Sequence, residues 1–414
     1  MNILLINHYA GSPKMGMEFR PYYLAREWIK DGHNVTIVAG DFSHLRKENP
    51  IVEKDLQESY VDGIKYIWLK TGSYEGNGIK RAKTMAHFCR KLYKYKKQII
   101  KITNPDVVIS SSTYPIDSYP AYKIAKASKA GYIHEVHDMW PSTLYEIGGM
   151  SKKNPFVAIM QMGENHAYKK CDALVSMLSE AGDYMESHGL DPKKFNVVRN
   201  GILTDEWEES NRENLPEDIK SKFDKLKAEG KFIVGYFGGF AISNNLDFII
   251  DVAEELKDND HIHFVLLGEG VLKKDLVHRA EKSGLTNITF LPKVGKNSVP
   301  NVLEHYDIIF ISFSDSPLYR FGINPNKMYD AMMAGKPILM SVNAKGNLVE
   351  EAGAGIVVGA DDTKAAKEAV LKFKEMNETE FKQYGENGKK EILENYTYHK
   401  LAKKFEKIMS DIRR

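Results

Sequence analysis

Short apolar runs rich in Val and Ile alternate with stretches of helical period along nearly the whole chain, and this alternation leaves few architectures open. NILLINHY is followed by a helical stretch over about residues 18–30 and then by NVTIVAG, and DVVISSS is followed by one over 121–130. A sheet whose strands alternate with helices buries itself by laying those helices over its faces, so the pattern predicts a parallel, doubly wound α/β domain. A second series opens at KFIVGYFGG and runs through a helix near 246–256, HFVLLGEG, NITFLP, DIIFISF, a helix at 326–334 and PILMSV. With 414 residues, two such domains are expected, each with its own core. The predicted boundaries are 1–204 for the first Rossmann-like domain and 231–374 for the second. The charged, strand-poor stretch 205–230, which holds Pro216, is predicted to link them. Residues 375–414 are charged and helical in pattern, with no strand after IVVGA, and form closing helices for which the first domain is a candidate surface.

Cys89 and Cys171 form no metal knuckle or disulfide framework and are expected as free thiols in a reducing compartment. MNILLINHYAG lacks a basic leader and a cleavage-like site, so it reads as a first strand rather than a signal peptide. The longest apolar stretches, 232–242 and 308–313, fall short of the roughly 18 residues of a spanning helix. A cytoplasmic chain is therefore expected.

In open α/β sheets, ligands gather at the carboxyl ends of strands, so the loops there are the places to search. The first βα turn, NHYAGSPKMGMEFR, places Gly11, Gly16 and Glu18 at such an end, where glycines let backbone N–H groups approach phosphate; the plain alternative is a flexible turn. The spacing is not G-x-G-x-x-G, which argues against a dinucleotide enzyme even with Asp41 after the second strand. HEVHDMWPSTLYEIGGM places His134, Glu135, His137 and Asp138 after a strand-like run. Its histidines are three apart and follow a strand, so the helical H-E-x-x-H zinc pattern is absent. Structural hydrogen bonding is expected of His134 and substrate contact of His137.

INPNKMYDAMMAGKPIL carries the most information. Asn324 is placed to cap a helix and Pro325 to occupy its first position, so the helix end would turn unpaired N–H groups toward a ligand. Such an end attracts anions, and Lys327 adds charge suited to a diphosphate. Asp330, three residues past Lys327, shares its helical face and could accept from ribose hydroxyls. The plain alternative is an ordinary capped helix with a solvated ion pair. YFGGFAISNNLD, with Gly238 and Gly239, and LLGEGVLKK, with Gly268, bring two further glycine loops to the same edge, and Lys293 and Lys296 in FLPKVGK are further candidate cations. The D-x-D at Asp258–Asp260 precedes a strand, at the wrong sheet edge for a metal site, and no metal or other cofactor is expected.

Net charge is +2, divided as +7 over residues 1–199 and −5 over 200–414. Residues 80–101 carry nine Lys/Arg and no Asp or Glu, while Met85, Phe88, Leu92, Tyr95 and Ile99 recur at spacings of three and four. This predicts one amphipathic basic helix. Its polar face is either simply solvated or suited to an anionic membrane surface, and no nucleic-acid motif accompanies it.

Taken together, NHYAGSPKMGMEFRPYYLAREW, HDMWPSTLYEIGGMS, RNGI and PNKMYDAMMAGKP, in that order, resemble family 4 of the retaining glycosyltransferases, and in particular bacterial members that build surface polysaccharides. The resemblance implies two facing Rossmann-like domains (GT-B type) with an interdomain cleft. It also implies transfer of a sugar from a nucleoside-diphosphate sugar, with UDP as the family-weighted base, to a glycan or polyprenyl-diphosphate-linked acceptor. By the same resemblance Gly11 to Gly16 face the diphosphate or acceptor, His137 the donor sugar, Asn326 and Lys327 the diphosphate, and Asp330 the ribose; Glu18, Arg199 and Met328 join the donor contacts, and His137, Asp138 and Lys327 are the catalytic candidates. Many members carry two Glu seven residues apart where this chain has Gly322 and Asp330. The usual Arg and Lys of the second domain's first loop are missing from GGFAISNN, leaving Lys293, Lys296 or Lys327 to substitute. Rival readings are a nucleotide-sugar epimerase of the same architecture, an NAD-dependent enzyme and a non-catalytic sugar-binding protein.

Overall fold

A computed structural model of the chain describes residues 1–16, 19–76 and 78–413. The polypeptide divides into two compact units, residues 1–200 with 398–414, and residues 201–397.

The first unit is built on eight strands: β1 (Asn2–Ile6), β2 (Asn34–Gly40), β3 (Gln57–Val61), β4 (Ile64–Leu69), β5 (Val107–Ser110), β6 (Gly131–Val136), β7 (Ala173–Ser176) and β8 (Phe195–Val197). Their order is β3-β4-β2-β1-β5-β6-β7-β8. β5, β6 and β7 are buried at every residue, as strands covered on both faces must be. The exception to parallel pairing is the β3–β4 hairpin at the sheet edge. Asp62 and Gly63 turn it with φ of 50° and 84°, the left-handed pair that a two-residue hairpin requires.

The second unit holds six parallel strands: β9 (Phe232–Gly239), β10 (Ile262–Glu269), β11 (Ile288–Leu291), β12 (Ile308–Ser312), β13 (Ile338–Ser341) and β14 (Gly355–Val358), in the order β11-β10-β9-β12-β13-β14. Two apolar layers form its core, one around Phe223, Met332 and Ile392, the other around Ile249, Phe264 and Phe373.

Three sequence expectations change here. The stretch 205–230 is not a bare linker: its helix Glu217–Ala228 buries Ile219, Phe223 and Leu226 in the second unit, with Phe223 stacked on His305 at 4.6 Å. The closing helices divide between the units. Helix Glu378–Asn395 stays with the second, where Gly385 lies so close to the Gly335 carbonyl that a Cβ would come within 2.0 Å of its oxygen. Helix Tyr398–Ile412 belongs to the first, with Phe405 edge-on to Trp28 at 5.3 Å and the Trp28 indole N–H donating to the Ala402 carbonyl at 3.3 Å. The basic stretch, finally, is two helices, Ile79–Lys94 and Lys96–Thr103, broken at Tyr95. Tyr95 and Lys91 both reach the Asp55 carboxylate, at 2.9 and 2.6 Å, which draws the polar face of the break onto a neighbouring loop. Among the described residues no helix is long and apolar enough to cross a membrane.

Candidate active site

The polar centre of the first unit grows out of the period-two geometry of β6. Successive side chains of a strand point to opposite faces, so Glu135 and His137 share a face and His134 takes the other. His134 Nδ1 lies 2.8 Å from the Ser110 hydroxyl, the kind of structural hydrogen bond expected of it, and burial pushes the ring's pKa down to about 3. Glu135 and His137 instead converge on Ser111, just past β5. The Ser111 hydroxyl donates to Glu135 Oε2 at 2.6 Å and lies 2.9 Å from His137 Nε2, which is itself 3.2 Å from Glu135 Oε2. Because the two histidines diverge, HEVHD does not assemble as a metal-ligand set.

Arg20, from helix Phe19–Lys30, closes the cluster. Its Nε and one terminal nitrogen meet Glu135 Oε1 at 3.0 and 2.9 Å, and its terminal nitrogens also donate to the carbonyls of Val198 and Arg199, each at 2.8 Å. Burial alone would raise the Glu135 carboxyl, but the Arg20 guanidinium and the His137 and Ser111 hydrogen bonds hold it well below the usual carboxylate range. A recess beside the cluster is lined by Thr113, Tyr114, His137, Asp138, Trp140 and Glu164. Glu164 accepts from Tyr168, Tyr184 and Gln161, and burial pushes its pKa up to about 7.

The other first-unit candidates lie along the same strand ends. Gly11 is buried, its carbonyl accepting from Tyr66 at 2.7 Å, and Gly16 closes a short 3-10 turn at φ 82° against Lys47. Arg199 is buried and donates to Ser179 at 3.0 Å. Glu18 lies outside the described residues. Asp41 accepts from the backbone and hydroxyl of Thr71 at 2.7 and 2.9 Å, a tie between two loops.

In the second unit, the helix after β12 begins one residue later than expected. It spans Asn326–Met333 with Pro325 at the cap position, where the cap residue makes no side-chain hydrogen bond; the expected cap, Asn324, accepts from the Tyr329 hydroxyl. Met328, expected among the donor contacts, is fully buried in the core, because the helix turns that face onto the sheet. Asn326 is exposed.

Lys327 folds toward the loop after β9. Its Nζ donates to Asn244 Oδ1 at 2.7 Å and to the Tyr236 hydroxyl at 3.0 Å, and sits 4.6 Å from the Tyr236 ring centroid. Tyr236 and Asn244 each donate onward to the Gly239 carbonyl at 2.7 Å, so one lysine and one carbonyl organise the whole loop. Desolvation lowers the Lys327 pKa from 10.5 to about 7. The glycines make the close fit possible. A Cβ on Gly268 would sit 1.8 Å from the Gly238 carbonyl oxygen, and one on Gly238, at φ 131°, would come 3.7 Å from Lys327 Nζ.

Of the other two candidate cations, Lys296 pairs with Glu206 at 2.6 Å and Lys293 is exposed. Asp330 lies one turn inside the helix, half-buried; no hydrogen bond reaches its carboxylate among the described residues, and desolvation pushes its pKa up to about 6.

Comparison with known proteins supplies the family. Residues 15–206 match the profile described as Glycosyltransferase Family 4, and residues 217–391 match Glycosyl transferases group 1. The chain belongs to glycosyltransferase family 4. It is 26% identical over 247 residues to the uncharacterized glycosyltransferase MJ1069 of Methanocaldococcus jannaschii, a match covering 58% of this chain and 59% of that protein. It is 31% identical over 152 residues to the Vi polysaccharide biosynthesis protein VipC/TviE of Salmonella typhi, covering 36% of this chain and 25% of that one. The matched part thus spans less than two thirds of either relative. Among solved structures it resembles Anabaena Alr3699/HepE in complex with UDP and glucose, with a TM-score of 0.66 at 13% identity over 99% of both chains. It also resembles WaaG, a glycosyltransferase involved in lipopolysaccharide biosynthesis, with a TM-score of 0.64 at 14% identity over 99% of both chains. These likenesses establish the two-Rossmann-domain GT-B fold.

For a family 4 chain, the sequence reading missed the support around the candidate residues: Arg20, Ser111, Glu164, Tyr236 and Asn244. Ser111 and Tyr236 lie inside strand segments that were read only as apolar runs. Arg20 gave no local signal, because its partners are 115 and 178 to 179 residues away.

Proposed function

We propose that this family 4 chain is a retaining glycosyltransferase that moves a sugar from a nucleoside-diphosphate sugar, UDP-linked, to a glycan or polyprenyl-diphosphate-linked acceptor in surface polysaccharide synthesis. The observation that carries this reading is the second unit's edge. A helix N-terminus with proline at its cap, a desolvated lysine with a phenol and an amide as its hydrogen-bond partners among the described residues, and glycine backbone approach one another there, a combination suited to a diphosphate. Lys327 is the cation that replaces the missing loop residues, since Lys296 is already paired. Asp330 is assigned to the ribose hydroxyls, the Gly238, Gly239 and Gly268 backbone to the phosphates, and His137 with Asp138 to the transferred sugar.

In a retaining transfer without a protein nucleophile, the acceptor oxygen attacks the anomeric carbon on the face that the diphosphate leaves. The glycosidic bond to phosphate breaks as the new bond forms, and the departing diphosphate takes the acceptor proton. The protein's task is then to neutralise that diphosphate and orient the acceptor, which preorganised donors do without a general base. No metal is required in this scheme, because the helix end and Lys327 meet the diphosphate charge.

UDP in the HepE complex and the polysaccharide role in the VipC/TviE name support the donor and the setting. The cytoplasmic face of the plasma membrane is the proposed location. Exposed Ile79, Tyr93 and Ile102 among the Lys/Arg of 80–101 would contact lipid there.

Calorimetry with UDP is the direct test. Asp330→Asn removes the charge and keeps the size, so affinity should fall roughly 10- to 150-fold, with EDTA changing nothing. Equal affinity in parent and variant would remove the ribose assignment, and an EDTA-sensitive turnover restored by manganese would remove the metal-free scheme.

A further inference from the structure

We propose that the outer face of helices Ser118–Ser128 and Pro155–Lys170 in the first unit is a docking surface for an anionic lipid bilayer, with Ile159 and Met162 as the side chains that enter it. The inference rests on the proposed membrane location and carries it beyond residues 80–101, onto two further helices.

Charge patterning carries the first half. Residues 78–103, 118–130 and 151–170 hold nine, three and four Lys/Arg, and one carboxylate among them all, Glu164. Glu164 is 2% exposed and accepts from Tyr168, Tyr184 and Gln161, so these stretches show no carboxylate to solvent. They are also neighbours in space, since helices Ile79–Lys94 and Pro155–Lys170 both pack on helix Ser118–Ser128. Lys94, Lys123, Lys126, Lys169 and Lys170 are exposed on them. An anionic headgroup layer meets such a field favourably wherever it touches.

Helical spacing carries the second half. Pro155, Ala158, Ile159 and Met162 recur at three and four residues, and all are exposed, Ile159 at 51% and Met162 at 62%. The stripe is surplus to the fold, because the same helix already buries Val157, Met160, Ala167 and Tyr168. Tyr119 and Tyr122 continue the outer face onto the neighbouring helix. The Tyr119 ring stacks on His166 at 4.0 Å and its hydroxyl donates to the Met162 carbonyl at 3.1 Å, while Tyr122 meets His166 edge-on at 5.6 Å. Apolar side chains, phenol rings and surrounding lysines are the composition of an element that lies in the headgroup region. A second copy of this chain fits poorly, because pairing the face with itself sets lysine against lysine.

The inner side of helix Pro155–Lys170 gives Glu164 and Tyr168 to the recess that His137 also lines. A bilayer on its outer side therefore lies about one helix diameter, roughly 10–12 Å, from that recess, a placement suited to an acceptor carried in the membrane.

Co-sedimentation of the full-length protein with vesicles of phosphatidylglycerol, and separately of phosphatidylcholine, is the test. The parent should pellet with the first and stay in solution with the second. Lys123→Glu and Lys126→Glu should each lower binding about fivefold at low salt, an effect that salt erases. Ile159→Ser combined with Met162→Ser should lower it roughly tenfold at every salt concentration where binding is measurable, because apolar transfer is not screened. A polarity-sensitive dye on Met162→Cys should shift to the blue on phosphatidylglycerol vesicles. The same dye on Tyr60→Cys, 68% exposed on the edge strand β3 of the same sheet, should not. UDP affinity should stay within about twofold in every variant, about 0.4 kcal/mol. Equal pelleting of parent and the Ile159→Ser, Met162→Ser variant, or a dye at 162 that does not shift, overturns the docking surface and leaves the nucleotide reading standing. A parent that ignores both vesicles but self-associates in sedimentation velocity, and loses this in the serine variant, overturns it in favour of a contact between copies. A parent that pellets as expected yet binds no UDP would keep the surface and remove the proposed function.

Discussion

The carboxyl edges of the two sheets treat buried charge in opposite ways. In the first unit Glu135 is enclosed, but Arg20 compensates it within hydrogen-bonding distance and every oxygen has a partner. In the second, Lys327 is enclosed with a phenol and an amide as its hydrogen-bond partners among the described residues. Both groups are desolvated; the one with a counter-ion is held in its charged form, and the one without is pushed toward its neutral form. A compensated buried charge suits a scaffold, because it resists rearrangement. An uncompensated one suits a ligand that brings the missing charge.

The largest effect should come from breaking the compensated pair. Arg20→Met strands the Glu135 carboxylate, and denaturant unfolding should show a loss of about 3–5 kcal/mol. Removing both charges, as Arg20→Met with Glu135→Met, should recover most of it. If the double variant is as unstable as the single one, Arg20 acts through its carbonyl contacts rather than through charge.

The uncompensated charge should behave in reverse. Lys327→Met should leave stability unchanged or higher and weaken UDP by about 1.5–3 kcal/mol. Its pH dependence sharpens the contrast. The folded-state pKa of about 7 lies below the unfolded 10.5, so between them the unfolded chain binds the extra proton and stability rises with pH. Diphosphate favours the protonated amine, so UDP affinity should fall by up to about tenfold per pH unit above about 7. Both slopes should vanish in Lys327→Met. A parent whose UDP affinity is flat from pH 7 to 9 would show that Lys327 does not meet the diphosphate.

The same distinction, on a smaller scale, separates lysines of the basic helices. Lys91 is held by Asp55, whereas Lys97 and Lys101 are exposed. Charge reversal at Lys97 and Lys101 should lower co-sedimentation with anionic liposomes by about fivefold per site at low salt. Reversal at Lys91 should disturb the Asp55 loop instead. Liposome binding indifferent to Lys97 and Lys101 would leave that face merely solvated.

What the sequence alone determined is what repeats or is local. The alternation of Val/Ile runs with helical stretches set two parallel α/β sheets, because each strand needs two apolar faces and each helix one. The strand-end segments around His137 and Lys327 were legible because polar residues interrupt apolar runs there. The β3–β4 hairpin, turned by Asp62 and Gly63, was not among the elements read from the sequence, although the D-G pair is a local turn signal. What only the tertiary structure decided depends on residues far apart in the chain. The apolar stripe Tyr398, Leu401, Ala402, Phe405, Ile408, Met409 demands a partner, yet nothing local says that the partner is Trp28 rather than the unit its chain has just left. The difference between Lys327, held by Tyr236 and Asn244, and Lys296, paired with Glu206, likewise needed the fold, because a lysine's charge is the same at every position in a sequence, and only its neighbours decide whether that charge is solvated, paired or desolvated.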